Sequence, residues 1–511
     1  MIRFSKLIFA CYLLSTAYYL LLFAYPPGWS DDILLTPEDM KERMYPDIDV
    51  DSFNNVWVAW DSGTWACGTA EALYSKRDSL GSCLIPETDV SNNPTYSLNP
   101  VIAVDGSNNI QFVWYDQTPQ GLGLWHAKLA NDGSVIIPPH LAVNGNNALF
   151  PLDKIALNKY QEINVIWDEG VGYYNYINYT KLDSLGNPII PKIRVSPESV
   201  VAFWPGIGVD SFANNHLGYR TNRTSTDSLA YTKLDKDGNA LIDYKILDAG
   251  LSPTIIADRS QNIHIVYPHE QTPYGPWVIN YLKLDQQGNI IIFPKALSPT
   301  QHESMSPHMA MDSLQYLHVV WQFDNRVDTN GIMYAKLDTM GNFVIPPMPV
   351  VYPPYSPGGG LARIAVDRNN RLHLVWVDGR IDPPNTADIF YKRGENEQTV
   401  KELARLRAQQ EFQISVYPNP FTREIKITFS HFQKTEKAKI EIFDILGRRV
   451  KEFSHLTIQP LRRQNYGVLA TFNQVVWYGN DDLGRRLPAG VYVIYFRTNN
   501  FVLTKKVIKI D

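Results

Sequence analysis

The sequence predicts an all-β chain: a seven-bladed β-propeller of four-stranded blades, followed by a C-terminal β-sandwich. Three observations predict it. A strand–turn–strand pattern recurs seven times between Asp51 and Asp367. Aromatic residues make up 12% of the chain, with 29 tyrosines and 12 tryptophans, a bias that suits half-buried strands. From Phe412 a different set of short alternating strands takes over.

The chain has 511 residues, too many for one ordinary domain. Its hydrophobic fraction of 44% is enough for sizeable cores. The formal net charge is −5, and no long basic run precedes the C-terminal region. Nucleic acid is therefore not expected as a partner.

The N-terminus reads as a signal peptide over residues 1–26. Arg3 and Lys6 precede an apolar run from Leu7 to Tyr25, which Pro26, Pro27 and Gly28 break. Ala24 is the candidate cleavage position. An uncleaved anchor is the alternative, because the run is nearly long enough to span a bilayer.

The repeat occupies residues 31–395. Each copy opens with a short strand ending in Asp or Asn, at Asp51, Asp105, Asn158, Asp210, Asp258, Asp312 and Asp367, spaced 48 to 55 residues apart. A polar turn leads to a second strand, ending at Trp60, Trp114, Trp167, Tyr219, Tyr267, Trp321 and Trp376. After a variable loop comes a third strand of the form Tyr-x-Lys-Leu-Asp, a Gly-containing turn and a fourth strand. Asn and Gly accept the positive φ that such hairpin turns require. Four antiparallel strands repeated at this period make propeller blades; a linear solenoid would need distinct capping repeats. The seventh copy lacks a fourth strand. Ile33–Pro37 resembles the missing piece and is expected to complete that blade, joining the ends of the ring.

Of the three cysteines, Cys11 lies in the signal segment. A bridge between Cys67 and Cys83 is disfavoured, because an intervening strand holds them apart. Residues 396–411 are charged, free of Pro and Gly, and place Val400, Leu403 and Leu406 on one helical face. They read as a linker helix or spacer.

Residues 412–511 carry Tyr417-Pro418-Asn419-Pro420, Asp444 with Gly447-Arg448, Trp477 with Gly479, and Gly490-Val491-Tyr492, in that order. This closely resembles the C-terminal sorting domain of type IX secretion substrates, an immunoglobulin-like sandwich similar to the flagellar hook-capping repeat. The resemblance implies recognition by the outer-membrane export machinery and a secreted or cell-surface protein. Gly490 is expected to allow a sharp turn before Val491.

Candidate ligand-binding residues fall on the loops between second and third strands and at the strand ends beside them. They are Asp61, Asp116, Trp125, Asp168, Glu169, Arg220, His269, Glu270, Trp277, Asp324, Arg326, Asp378 and Arg380, with Trp65, Tyr173, Tyr174 and Arg223 nearby. Aromatic faces stack on sugar rings and carboxylates bond hydroxyls, so a glycan is one expected ligand and an extracellular protein the other. An acid following a strand end also caps turns, and its recurrence in most blades favours architecture over one active site. A binding protein is therefore preferred to an enzyme. The alternatives are a glycoside hydrolase or lyase of sialidase-like propeller type and a structural surface-layer component. Arg220, Arg326, Arg363 and Arg380 are available to a sialidase-like triad, but no motif anchors its nucleophile. His264, His318 and His373 hold equivalent strand positions, and no Cys/His spacing suits zinc. No P-loop, dinucleotide fingerprint or serine elbow occurs. No cofactor or metal is expected, and a monomer is.

Overall fold

The computed structural model describes residues 28–395 and 413–511, apart from 38, 40, 64–69, 94–95, 119–120, 146–154, 172–173, 223–226, 271–274, 301–302, 325–329, 352–359, 381–386, 431–435, 459–461, 465–466, 470–472 and 498–501. The signal segment, the linker and Cys67 lie outside the described residues. Contacts divide the chain into two units, Met1–Asn396 and Glu397–Asp511.

The first unit holds seven four-stranded antiparallel sheets. Six are consecutive along the chain: blade 1 (Arg43–Asp89), blade 2 (Tyr96–Asn144), blade 3 (Ile155–Arg194), blade 4 (Ala202–Ala249), blade 5 (Thr254–Ala296) and blade 6 (Glu303–Val351). Blade 7 takes three strands from Gly360–Gly394, and its outer strand is Ile33–Leu34 from the N-terminal side. The innermost strands of all seven blades line one central cavity of about 380 Å³. Aspartates join neighbouring inner strands: Asp47 and Asp49 of blade 1 accept the backbone N–H groups of Ile102 and Val104 at 2.9 and 2.8 Å.

The expected closure is present. Ile33 pairs with Tyr391 and Leu34 with Phe390. Pairing starts earlier than position 31, since Gly28 accepts from Glu395 N–H and Ser30 exchanges bonds with Arg393. Asp32 clasps both Arg380 and Lys392 at 2.7 Å. Buried Val375, Val377, Ile389 and Tyr391 of blade 7 share a core with Ile48, Val58 and Trp60 of blade 1. Burial on this scale stabilises by roughly 1.5–3 kcal/mol per large apolar side chain.

Each repeated polar residue has a place in this frame. The turn aspartates accept backbone N–H groups two and four residues on, as Asp51 does from Phe53 and Asn55. The fourth turn residue has positive φ, 65° at Asn54 and 62° at Asn108. Its side-chain oxygen reaches across to the previous blade. Asn108 takes Ser52 N–H, Gln161 takes Gly106, Gln261 takes Ser211, Gln315 takes Arg259, Asn370 takes Ser313, and Asn54 takes Arg368. This girdle has one missing link, in blade 4, where the position is Ala213 with φ of 67°. The third-strand lysines make a second set of links. Lys76, Lys128, Lys181, Lys233 and Lys283 donate to carbonyls in the outer turn of the next blade.

The histidines are part of the same pattern. His216, His264 and His318 each sit between an Asp (Asp210, Asp258, Asp312) at 3.1–3.2 Å and a Tyr hydroxyl (Tyr231, Tyr281, Tyr334) at 2.7–2.9 Å. His373 bonds Tyr391 at 2.8 Å and lies 3.5 Å from Asp367. Four copies in four consecutive blades make this a packing device. Buried polar groups need partners, and these side chains supply one another.

The second unit is a sandwich. A three-stranded sheet (Gln413–Tyr417, Ile425–Ser430, Asn473–Trp477) and a four-stranded sheet (Glu436–Asp444, Arg449–Ile458, Gly490–Arg497, Val502–Lys509) share the core of Ile425, Ile427, Ile440, Trp477, Ile494 and Phe496. Asn419 holds the last strand by accepting from Ile508 N–H and donating to Lys506 O at 2.8 and 3.0 Å. Tyr492 donates to Pro488 O at 2.8 Å, a corner typical of sandwiches. Gly447 makes a turn at φ of 75°. Gly490 does not make one: it lies in a strand opposite Lys509, with open space where a Cβ would stand.

Candidate rim site

The ends of the second strands and the starts of the third strands share one face of the propeller, and most of the described candidate residues lie at or near them. None of the twelve that are described lines the central cavity. Arg326 lies outside the described residues.

The acids two residues beyond the strand tryptophan have one common task. Trp114 Nε1 donates to Asp116 at 3.0 Å, Trp167 Nε1 to Glu169 at 3.2 Å and Trp376 Nε1 to Asp378 at 3.2 Å. An indole N–H buried without an acceptor is costly, so each acid satisfies a core group. In blade 1 that place is Ser62, and Glu87 serves Trp60 instead at 3.2 Å. In blade 6 it is Phe323, and Trp321 Nε1 has no acceptor among the described residues. Ser97 also donates to Asp116, Lys192 and Asn178 to Glu169, and Arg380 to Asp378.

Asp61 and Asp168 stand one residue earlier and face the next blade. Asp61 accepts Asn99 N–H at 2.9 Å. Asp168 accepts the Asn175 amide at 3.4 Å and the Trp204 backbone N–H. Burial pushes both carboxyls up to about 7. Asn99 and Trp204 are equivalent: each is a bulged residue of positive φ (51° and 49°) preceding a proline of the innermost strand. Tyr45-Pro46, Ser252-Pro253 and Ser306-Pro307 repeat the device. A bulge turns a side chain out of the ladder and aims it elsewhere.

The remaining candidates scatter. Trp125 is half-buried against the core between blades 1 and 2. His269 Nδ1 donates to Ala249 O at 2.7 Å, and the Asp248 carboxylate beside it holds its imidazolium above the usual histidine range. Glu270 and Trp277 face each other across the blade 5 hairpin, and Asp324 ends the second strand of blade 6. Arg220 is different. Its guanidinium lies 4.8 Å over the Trp204 ring and 5.4 Å over Phe203, and pairs with Asp227 at 2.7 Å.

Trp204 is thus the centre of an aromatic–cation cluster at the seam of blades 3 and 4, and is 37% exposed. It was not singled out in the sequence. The available signal was its place before Pro205, where the corresponding residues of four other blades are Tyr45, Asn99, Ser252 and Ser306. Among the described residues, no group of three or more His, Cys, Asp or Glu side chains is placed to hold a metal ion.

The fold and its rim define a seven-bladed propeller carrying a C-terminal immunoglobulin-like sandwich. Residues 415–465 match the secretion system C-terminal sorting domain family. The chain therefore carries a type IX sorting domain, and the protein is secreted, displayed on the cell surface or attached to the outer membrane. The sorting domain implies interaction with the type IX secretion machinery. No curated protein matches the chain. Among solved structures it is similar to a protein of unknown function from Dyadobacter fermentans (10% identity, 72% of this chain and 100% of that one, TM-score 0.45). It is also similar to a PL25 ulvan lyase (11%, 74% and 98%, 0.48) and to a fungal alcohol oxidase of the AA5 family (12%, 95% and 100%, 0.49). At such identities these similarities say nothing of the activity of this chain.

Proposed function

We propose that the propeller is a glycan-binding module, exported through the C-terminal domain, which holds a sugar at the rim of blades 3 and 4 without cleaving it. The observation that carries this reading is Trp204. Its backbone is held at φ of 49°, outside the strand geometry, and its ring stays partly in solvent beside Phe203 and Arg220. The positive φ is shared with four other blades, but blade 4 alone of the five puts an indole there, and a large aromatic left partly in solvent suits a ligand site better than a core. An exposed indole face beside a cation suits the apolar face and hydroxyls of a pyranose.

The absence of turnover is supported by the acids. Asp116, Glu169 and Asp378 are committed to indole N–H groups, and Asp61 and Asp168 to backbone N–H groups of the adjoining blade. A glycosidase needs two carboxyls about 5–10 Å apart with access to the sugar. The test is a glycan array probed with the full secreted chain, coupled to an assay for released sugars from each bound glycan. Binding without release is expected. Release of sugars would replace this reading with a hydrolase or lyase, and an empty array would leave a protein partner.

A further inference from the structure

The Trp204 cluster continues outward along the seam between blades 4 and 5. Register fixes which side chains share that seam. Arg220 stands opposite Leu229, and Leu229 stands opposite Asp248. Leu229 packs in one core with Ile265 and Tyr267 of blade 5, so Arg220 and Asp248 face blade 5 as well. One strand lies between them, which sets their backbones about 9–10 Å apart. At the inner end the Arg220 guanidinium lies 4.8 Å from the centre of the Trp204 ring. At the outer end Asp248 stands 3.2 Å from His269 Nδ1 of blade 5 and accepts the Tyr267 hydroxyl at 2.5 Å.

His269 has a polar atom to spare. Its Nδ1 is held by Ala249 O at 2.7 Å and by the Asp248 carboxylate. Its Nε2 has no hydrogen-bond partner among the described residues, and the side chain is partly exposed. Two acceptors that fix Nδ1 also fix the ring, and with it the direction of Nε2. An imidazole so oriented loses little freedom when Nε2 bonds a ligand hydroxyl.

Both cations of this row carry a carboxylate: Arg220 pairs with Asp227 at 2.7 Å and His269 with Asp248. Such pairs offer donors and acceptors side by side with their charges cancelled. Hydroxyls, which both donate and accept, fit them, whereas a carboxylate or sulfate meets a cation already neutralised. The net charge of −5 on the whole chain disfavours anions further.

Resting on the glycan reading, we infer that the seam of blades 4 and 5 binds an uncharged glycan of two or more units: one sugar lies against Trp204, and His269 Nε2 bonds a hydroxyl of the next. The separation of Arg220 and Asp248 is that of a disaccharide rather than of a single ring.

The experiment titrates the full chain and its His269→Ala variant with cello-, xylo-, manno- and laminari-oligosaccharides of one and two units, and with galacturonate and its dimer. The inference expects at least one neutral series to bind about tenfold tighter at two units than at one, and tighter than the acidic series. In His269→Ala that ratio falls to about one. His269→Leu keeps the bulk of the ring and gives the same result, and unfolding temperatures of both variants separate lost recognition from lost folding. A wild-type ratio near one, a ratio that survives in the folded variants, or a preference for the acidic series overturns the inference and leaves the glycan reading standing. So does failure of every neutral series against a positive glycan array. Failure of all the series and of the array together overturns both.

Discussion

Asn54 and Arg368 are 314 residues apart in the chain and meet at 3.1 Å, where the Asn54 side-chain oxygen accepts the Arg368 backbone N–H. The same bond recurs between five other pairs of adjacent blades, so the ring is closed by the device that builds it. Two requirements fall on one residue. It must accept positive φ, and it must present an oxygen to the neighbouring turn. Asn54→Gly keeps the conformation and loses the bond, and is expected to destabilise the propeller by about 1 kcal/mol. Asn54→Ala loses both and is expected to cost about 2–3 kcal/mol. Calorimetric unfolding of the two variants measures the difference.

The missing link offers the reverse test. Ala213 occupies the position at φ of 67° with no oxygen to offer. Ala213→Asn relieves the backbone and supplies an acceptor; Ala213→Gly relieves the backbone alone. The Asn variant is expected to exceed the Gly variant in stability by about 1 kcal/mol. Equal stabilities would show that the girdle contributes nothing at this seam.

Asp116 tests the architectural role of the indole-capping acids. Asp116→Ala leaves the buried Trp114 N–H without its acceptor and removes the partner of Ser97. A loss of about 2–3 kcal/mol is expected, with glycan affinity of the folded variant unchanged. Lost binding at undiminished stability would place Asp116 in the ligand site instead.

The pH dependence of stability separates the buried carboxyls from the rest. Asp61 is raised by burial from 3.8 to about 7, so its contribution is complete below 3.8 and is lost as pH rises through 7. His126 is pushed down by burial to about 3, so its contribution is present above its ordinary value of 6.5 and is lost as pH falls. Asp61→Asn removes the first effect alone. The stability of the wild type relative to this variant is expected to fall by roughly 2–4 kcal/mol between pH 4 and 8, followed by denaturation at a series of pH values. A flat difference would mean that Asp61 is ionised throughout.

The frame of the protein was legible because strand ends, turns and blade spacing depend on local chemistry. Asp51 caps its own turn through the N–H groups two and four residues on, and Gly81 takes the positive φ of its own turn at 91°. The docking of Ile33–Leu34 was legible by subtraction, since blade 7 lacked a strand. The rim was less so. Asp116 and Glu169 look alike as acids after a tryptophan whether they face a ligand or an indole N–H. Only the three-dimensional contacts separate the two. Trp204 was hidden for another reason: its exposure comes from a bulge, which inserts a residue and breaks the alternation by which strand faces are read.

The central claim is that Trp204 carries the glycan site of the propeller. It is tested most directly by comparing wild type and Trp204→Ala on one glycan array, with unfolding temperatures measured on the same preparations. The account predicts that the variant keeps its fold and loses about tenfold or more in affinity for every glycan the wild type binds. Undiminished binding by a folded Trp204→Ala protein would contradict it.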